Sequence, residues 1–529
     1  MIPPDTQRVL DFLAAPGSYP HRPDTVRLVQ THASWVFIAP PLVYKIKKPV
    51  NYGFLDFSTL ALRQTDCEHE LRLNRRLAAD VYLDVVPVVE TPAGLQFGGQ
   101  GRVLEWTVKM RELDAGGFLH QRLRQGEADT AMMDRVVDLL HGFYRRQGAL
   151  PDAELALARR RLDEALRGNF EAMQGAAGQA VSAAALAAIV HYTRCFEQQH
   201  RALLDARSTQ GWIRDCHGDL HTEHIHLSAD AVRIYDCIEF NEAFRHIDVA
   251  CDIAFLTMDL DFNGRPDLAR HVAARFAMLL QDAALPRLLD FYQCYRACVR
   301  GKVECLHSAG ETVGAEERTA SMDLARRYFR LALRYAIAGG MPCVFVMMGR
   351  VACGKSALAE ALGHETGWRV ISSDRVRKTL AGVALHQRGT AEERAALYSA
   401  EMTQRVYETL FAEATRAAAE GCVILDATFS SRVHRDALRA LLARLGLACI
   451  WVVAEADEAT TLQRLHQRGR CGGVVSDARA EDHAQLNHHF EPPEELPDSC
   501  RVGIMTHADV STTLARLLVL LAERKAHEG

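Results

Sequence analysis

The sequence contains no apolar run of the roughly 18 residues that a membrane-spanning helix needs, so no membrane partner is expected. Its first residues, "MIPPDTQRVLDFLAAPG", lack a charged segment followed by a long apolar stretch, and no secretory signal is expected. The 14 cysteines show no paired spacing, and several sit in apolar strand-like runs such as "CVILDATF". That pattern argues against a disulfide framework and for reduced, buried thiols in a cytoplasmic protein. There is no excess of positive charge either. Lys and Arg number 62 against 67 Asp and Glu, a net charge of −5, so any attraction to nucleic acid must come from a local groove. No repeat of fixed period and no low-complexity linker interrupts the chain.

With 529 residues the chain is too long for one hydrophobic core, and two to four domains are expected. "VRLVQTHASWVFIAPPLVYKIKK" alternates apolar and polar residues, which predicts antiparallel strands. "DCEHELRLNRRLAADVY" has helical spacing, and "VLEWTVKMREL" returns to strand character. Residues from about 118 to 208 read as helical, 212–240 as short strands, and the stretch to about 338 as helical again. Gly339-Gly340 ends the last of these helices. Five apolar runs follow, "PCVFVMM", "WRVISSD", "CVILDAT", "ACIWVVA" and "RVGIM", separated by amphipathic helices. They predict a parallel sheet covered on both faces.

Gly349-Arg350-Val351-Ala352-Cys353-Gly354-Lys355-Ser356 satisfies G-x-x-x-x-G-K-S, between a strand and a helix. Glycines at this spacing let backbone N–H groups turn in around phosphates. Lys355 adds charge at the β- and γ-phosphates, and Ser356 offers a hydroxyl to Mg²⁺. Asp374, in "ISSDRVRKTL", is placed at the carboxyl edge of the sheet, where it can accept a proton from an acceptor hydroxyl or cap the next helix. Asp426 ends another strand and either orients Mg²⁺ or serves as the base instead. Arg432 and Arg435 can share a helix face, and Arg464, Arg468, Arg470 and Arg479 supply a candidate lid over phosphates. This half, residues 341–529, resembles small P-loop kinases: polynucleotide 5′-hydroxyl kinases, zeta toxins, gluconate kinases and chloramphenicol phosphotransferases. The resemblance implies that Asp374 is the base and Arg377 an acceptor-binding residue.

"HGDLHTEH" marks a second centre. Asp219 suits a carboxylate that orients a hydroxyl, and Asp236, ending "VRIYD", suits a ligand that holds Mg²⁺ against ATP. A zinc site from His217, His221, His224 and His226, with His200, matches no standard ligand spacing, and no H-E-x-x-H occurs. Residues 1–337 resemble the aminoglycoside phosphotransferase-like branch of the protein-kinase fold, with an N-lobe to about 115 and a C-lobe from about 116. "HGDLHTEHIHL" corresponds to that family's catalytic loop and "IYDCIEFN" to its metal-binding segment. The resemblance makes Lys45 of "VYKIKKPV" the phosphate-pairing lysine, with Lys47 a rival, and Glu70 its partner; it sets an adenine-holding hinge around Met110 to Leu113. His224 stands where the family has a metal-binding Asn, and "QTHASW" stands in place of a G-x-G-x-x-G loop.

The expected architecture is therefore an α+β, kinase-like bilobal domain followed by an α/β P-loop domain with a parallel sheet. The order resembles bacterial fusions described as bifunctional aminoglycoside phosphotransferase-like/ATP-binding proteins. The expected activity is transfer of the ATP γ-phosphate to a small hydroxylated acceptor, with ATP and Mg²⁺ as cofactors. A nucleic-acid 5′-hydroxyl kinase, and a P-loop enzyme regulated by a catalytically dead kinase-like sensor, are the alternatives. Composition and the lack of an aromatic-basic stripe weigh against nucleic acid.

Overall fold

The computed structural model describes residues 4–53, 55–310, 313–387, 390–470 and 489–528, with backbone alone at 391 and 468–470. Met1–Leu166 with Ala202–Arg296 form one compact unit, and Arg167–Arg201 with Ala297–Gly529 the other.

The first unit begins with strands β1 (Arg27–Gln30), β2 (Ser34–Ala39) and β3 (Leu42–Lys47). Helix α1 (Leu60–Ala78) follows, then β4 (Tyr82–Thr91), β5 (Gly94–Phe97) and β6 (Arg102–Arg111). They form one sheet of order β1-β2-β3-β6-β4-β5. Every neighbouring pair is antiparallel, as the alternating sequence predicts. The period of two sorts the side chains by face. Phe37, Ala39, Tyr44 and Ile46 join Val9 and Leu13 in one core. Val43 lies on the opposite side against Cys67 of α1, and Lys45 and Lys47 share its parity. The "QTHASW" segment is a tight connection: Ser34 N–H bonds Thr31 Oγ1 at 3.0 Å, and Thr31 N–H bonds the Ser34 carbonyl at 3.0 Å.

Short strands β7 (Ile213–Asp215), β8 (Ile225–Leu227), β9 (Val232–Ile234) and β10 (His246–Asp248) pair as β7 with β10 and β8 with β9. Between them run the loops that carry Asp219 and Asp236. Helix α2 (Val249–Phe262) is buried along nearly all its length, and α3 (Leu285–Ser308) lies beside it, where Gln293 Nε2 donates to Thr257 Oγ1 at 3.0 Å.

The second unit holds β11 (Cys343–Met348), α4 (Lys355–Thr366), β12 (Arg369–Ser372), α5 (Ser373–Leu380), β13 (Val423–Asp426), α6 (Arg432–Arg444), β14 (Ala448–Glu455), α7 (Glu458–Arg470) and β15 (Arg501–Met505). The strand order is β12-β13-β11-β14-β15, and every pair is parallel. All five apolar runs of the sequence become these strands. β11 is buried at every residue, as expected of the centre of a sheet covered on both faces. Residues 167–201 and 297–337 also belong to this unit, and His200 bonds the Ala526 carbonyl at 3.0 Å. Among the described residues no helix is long and apolar enough to cross a membrane.

Arg207 latches the first unit. It is fully buried, holds Asp248 through Nε and Nη2 at 2.8 and 2.7 Å, and reaches Asp282 at 2.7 Å. Asp248 in turn caps α2 through the Ala250 N–H. Arg207→Met leaves two buried carboxylates without their cation. Urea unfolding of the full chain should show the first unit destabilised by about 3–5 kcal/mol; a change below about 1 kcal/mol would mean that water reaches these carboxylates.

Candidate functional site

Two sets of residues singled out in the sequence come together, one in each unit. In the first unit β3 places Lys45 and Lys47 two residues apart on one face, toward α1. Lys45 Nζ donates to Glu70 Oε1 and to Asp236 Oδ1, each at 2.9 Å. Lys47 Nζ lies 2.6 Å from Glu70 Oε2 and 2.8 Å from Asp66 Oδ2, and also contacts Glu239. Glu70, wholly buried, thus takes one lysine on each oxygen. Lys45 alone of the two reaches Asp236. Burial works against the charge on Lys45, but Asp236 and Glu70 more than reverse it and hold the ammonium above the ordinary lysine range. Burial would likewise raise Asp236, but Lys45 and then His224 hold it below the usual carboxylate range. Asp236 adopts φ 60°, a left-handed conformation that Asp tolerates better than most residues. Met110 lies on β6, directly before the 111–113 segment.

The loop after β7 supplies the other carboxylate. Asp252 of α2 fixes its backbone, accepting the His217 and Gly218 N–H groups at 3.1 and 2.9 Å and the Tyr144 hydroxyl at 2.9 Å. Asp219 Oδ2 lies 3.5 Å from His221 Nε2 and 3.6 Å from His224 Nδ1. His224 Nδ1 is 2.9 Å from the Asp219 carbonyl, which can only accept, so Nδ1 carries the proton. Its Nε2 lone pair then faces Asp236 Oδ2, 3.6 Å away. Burial, reinforced by His221, keeps this imidazole below the ordinary histidine range.

Of the five histidines in the zinc reading, His221 and His224 gather with Asp219 within reach of one ion. His217 bonds the Tyr235 carbonyl at 3.0 Å, His226 is held by Asp114 at 3.1 Å, and His200 bonds Ala526. The sequence reading missed Arg296 on α3. Only 5% exposed, its guanidinium lies 4.7 Å over the Phe255 ring and 5.3 Å over Tyr295; Phe255 in turn packs 5.7 Å from the His221 ring.

In the second unit the 349–356 loop joins β11 to α4. Gly349 has φ 147°, and a Cβ there would lie 2.3 Å from the Ala454 carbonyl, so the close approach of loop to β14 requires glycine. Gly354 has φ 96° at the start of α4, and Ala352 is left-handed at φ 62°. Ser356 Oγ donates to Asp426 Oδ1 at 3.1 Å, joining the loop to the end of β13. Burial raises the Asp426 carboxyl above the usual range against the pull of Lys355 and Ser356; nearby Asp374 raises it further. Thr506, just past β15 and missed in the sequence, donates its hydroxyl to the Cys353 carbonyl. Arg464 Nη1 donates to the same hydroxyl at 3.1 Å and so braces the loop. A polar residue at the carboxyl end of the last parallel strand was the available signal.

The remaining arginines divide. Arg432 is exposed and bonds Asp436 at 3.3 Å; Arg350 lies 5.0 Å over Phe490. Arg377 is buried, donating through Nη1 to the Leu397 carbonyl at 2.7 Å and Thr403 Oγ1 at 3.3 Å, beside Tyr398. Arg435, expected to meet substrate, instead directs all three nitrogens to Glu495 and the carbonyls of Phe429, Glu491 and Pro492. These bonds exhaust its five N–H donors, and it is a structural residue. The side chains of Arg468 and Arg470, and Arg479 altogether, lie outside the described residues.

The parallel sheet and its glycine loop define an α/β P-loop domain, a nucleotide-binding class. Residues 344–493 match the family model of the AAA domain. Over 466 residues the chain is 31% identical to the uncharacterized protein Rv2004c of Mycobacterium tuberculosis (strain ATCC 25618 / H37Rv), covering 86% of this chain and 88% of that protein. It matches the uncharacterized protein Mb2027c of Mycobacterium bovis (strain ATCC BAA-935 / AF2122/97) to the same extent. The chain belongs to the family of these proteins. Among solved structures, a gluconokinase from Sinorhizobium meliloti 1021 is 20% identical and aligns with 36% of this chain and 95% of its own, at a TM-score of 0.25. A sugar kinase from Janibacter sp. HTCC2649 is 18% identical over 34% of this chain and 94% of its own, also at 0.25.

His217 yields a test of the first site. Burial pushes its imidazole from the ordinary 6.5 down to about 3. The unfolded chain therefore takes up this proton near pH 6.5, while the folded chain resists to about pH 3, so stability falls as pH drops through that window. In His217→Gln, urea unfolding of the full chain between pH 4 and 6 should take up about one proton fewer than wild type. An unchanged pH slope would place a protonated His217 in the fold.

Proposed function

We propose that the protein is an ATP-dependent phosphotransferase with two centres, each directing the γ-phosphate of ATP to a hydroxyl acceptor. The supporting observation is the P-loop in its structural context, with Ser356 and Asp426 joined beneath it. In this reading residues 341–529 are a P-loop kinase domain. The Gly349–Ser356 backbone and Lys355 hold the phosphates, Asp374 is the base, and Arg377 and Arg432 meet the acceptor. Ser356 and Asp426 supply oxygen donors of the kind Mg²⁺ prefers. Residues 1–337 form an aminoglycoside phosphotransferase-like kinase domain, in which Lys45 and Glu70 steady the phosphates, Asp219 orients the acceptor hydroxyl and Asp236 holds the cation. The acceptor is a small hydroxylated molecule and the setting cytoplasmic. A second reading, a sensor that binds ATP without turnover, rests on His224, because imidazole nitrogen is a poorer partner for Mg²⁺ than an amide oxygen.

For the P-loop centre, calorimetry on the full chain should count one ATP site fewer in Lys355→Ala. Asp374→Asn should leave nucleotide binding intact and slow transfer roughly 10²-fold or more. If Asp426→Asn does this while Asp374→Asn matches wild type, Asp426 is the base.

For the first centre, Asp219→Ala in a Lys355→Ala background should abolish phosphorylation of acceptor while ATP still binds, because it removes a contact made in the transition state. Asp236→Ala should also weaken Mg²⁺-dependent ATP binding. His224→Asn should preserve or raise turnover if His224 serves only as a cation ligand. Absence of transfer in every form, with ATP binding that ignores Mg²⁺, identifies a sensor.

A further inference from the structure

Burying an arginine costs free energy unless its N–H groups find acceptors, and a carboxylate is the usual solution. Among the described residues the buried arginines obey that rule with two exceptions. Arg63 pairs with Glu105, Arg207 with Asp248 and Asp282, Arg245 with Asp215, and Arg435 with Glu495. Arg377 has no carboxylate but donates to the Leu397 carbonyl at 2.7 Å. Arg296 is the outlier. Its hydrogen-bonding partner is Cys251: Nε donates to the carbonyl at 3.4 Å, and the guanidinium also faces the thiol, a weak acceptor. Among the described residues no carbonyl or carboxylate takes a hydrogen bond from either Nη, although the residue is only 5% exposed.

What surrounds this guanidinium locates it. The rings of Phe255 and Tyr295 hold its plane. Phe255 also packs against His221, with ring centroids 5.7 Å apart, and the His221 ring nitrogen lies 3.5 Å from the Asp219 carboxylate, whose charge acts on Arg296. Asp252, the nearest buried carboxylate in the loop support, has its oxygens engaged by Tyr144, His217 and Gly218. It can lower the field around Arg296 without accepting its protons. A planar fork of N–H donors, fixed by aromatic rings and close to the candidate catalytic carboxylate, has the geometry that binds an oxyanion bidentately.

We propose that Arg296 is a specificity-determining residue of the first centre, and that the acceptor there is a hydroxylated compound carrying its own carboxylate or phosphate. This rests on the reading of Asp219 as the residue that orients the acceptor. A neutral polyol leaves the fork unfilled, and a polycationic aminosugar is repelled by it. The two acidic groups share the chemistry the fork recognises, a pair of oxygens with negative charge.

The test separates binding from turnover. The full chain, saturated with a non-hydrolysable ATP analogue so that both nucleotide sites are filled, is titrated by calorimetry with inorganic phosphate and, separately, with acetate. One further anion site is expected, and the stronger of the two anions identifies the acidic group. Arg296→Gln should weaken that site roughly 10-fold or more, as for loss of a charge-assisted contact, with the affinity for the ATP analogue unchanged. Arg296→Lys keeps the charge but not the fork; it should retain the thermal midpoint and still bind more weakly than wild type. Absence of an anion site in wild type, or binding that survives both substitutions, overturns the proposal. Anion binding that needs Arg296 in a protein without transfer activity upholds the site and removes the phosphotransfer reading. Asp219-dependent transfer to a neutral polyol, unaffected by Arg296→Gln, does the reverse.

Discussion

A wholly buried carboxylate keeps its charge only if cations replace the water it has lost, and Glu70 meets this with a lysine on each oxygen. The consequence spreads through the first unit. The two lysines come from one face of β3, Glu70 from α1, and Asp236 and Glu239 from the segment after β9. Loosening any of these elements strands a charge in the interior, so the sheet, the helix and the loop are fixed relative to one another. The arrangement divides labour between the lysines. Lys47, nearly inaccessible, faces Asp66, Glu70 and Glu239 and serves as an internal tie. Lys45 shares Glu70 but ends on Asp236, whose other oxygen faces His224. The tie is what lets Lys45 point at a carboxylate that is still partly open to solvent.

The second unit is organised by different means. Its loop relies on backbone geometry: Gly349 where no Cβ fits, and positive φ at Ala352 and Gly354. Side chains support the loop from behind. Ser356 is tied to Asp426 at the end of β13, and Thr506 and Arg464 hold the Cys353 carbonyl from the end of β15. One centre positions charged side chains with other charged side chains; the other positions backbone N–H groups with a sheet edge. The first arrangement depends on ionisation states, as the depressed His217 and His224 imidazoles illustrate. The second depends mainly on shape.

Legibility in the sequence follows this difference. A phosphate loop is local, eight consecutive residues with a strand before and a helix after, and all five parallel strands were visible as apolar runs because strands buried on both faces need little else. The β4 strand was not: it carries Pro87 and alternates irregularly, and the helical reading of "AADVY" ran past the end of α1 at Ala78 into it. Lys45, Glu70 and Asp236 were each legible from a resemblance, but their meeting joins residues 25 and 191 positions apart, which no local pattern encodes. Arg435 was misjudged for the same reason. Its spacing from Arg432 suggests a shared face, yet Glu495, sixty residues on, turns it inward.

The arginines show how burial and pairing together separate structure from chemistry. Exposure alone ranks Arg207, Arg296 and Arg435 alike, as interior residues. Their acceptors do not. Arg207 and Arg435 are matched to carboxylates, and each closes a path between distant segments. Arg296 braces nothing of comparable strength: a long bond to one carbonyl and two aromatic faces that orient it without taking its protons. Among the described residues four of the six buried guanidinium groups meet a carboxylate, and Arg377 meets a carbonyl and a hydroxyl, which leaves Arg296 with the weakest set of protein acceptors. The proposed acidic acceptor supplies the missing partner, and the charge that attracts it disfavours cationic competitors.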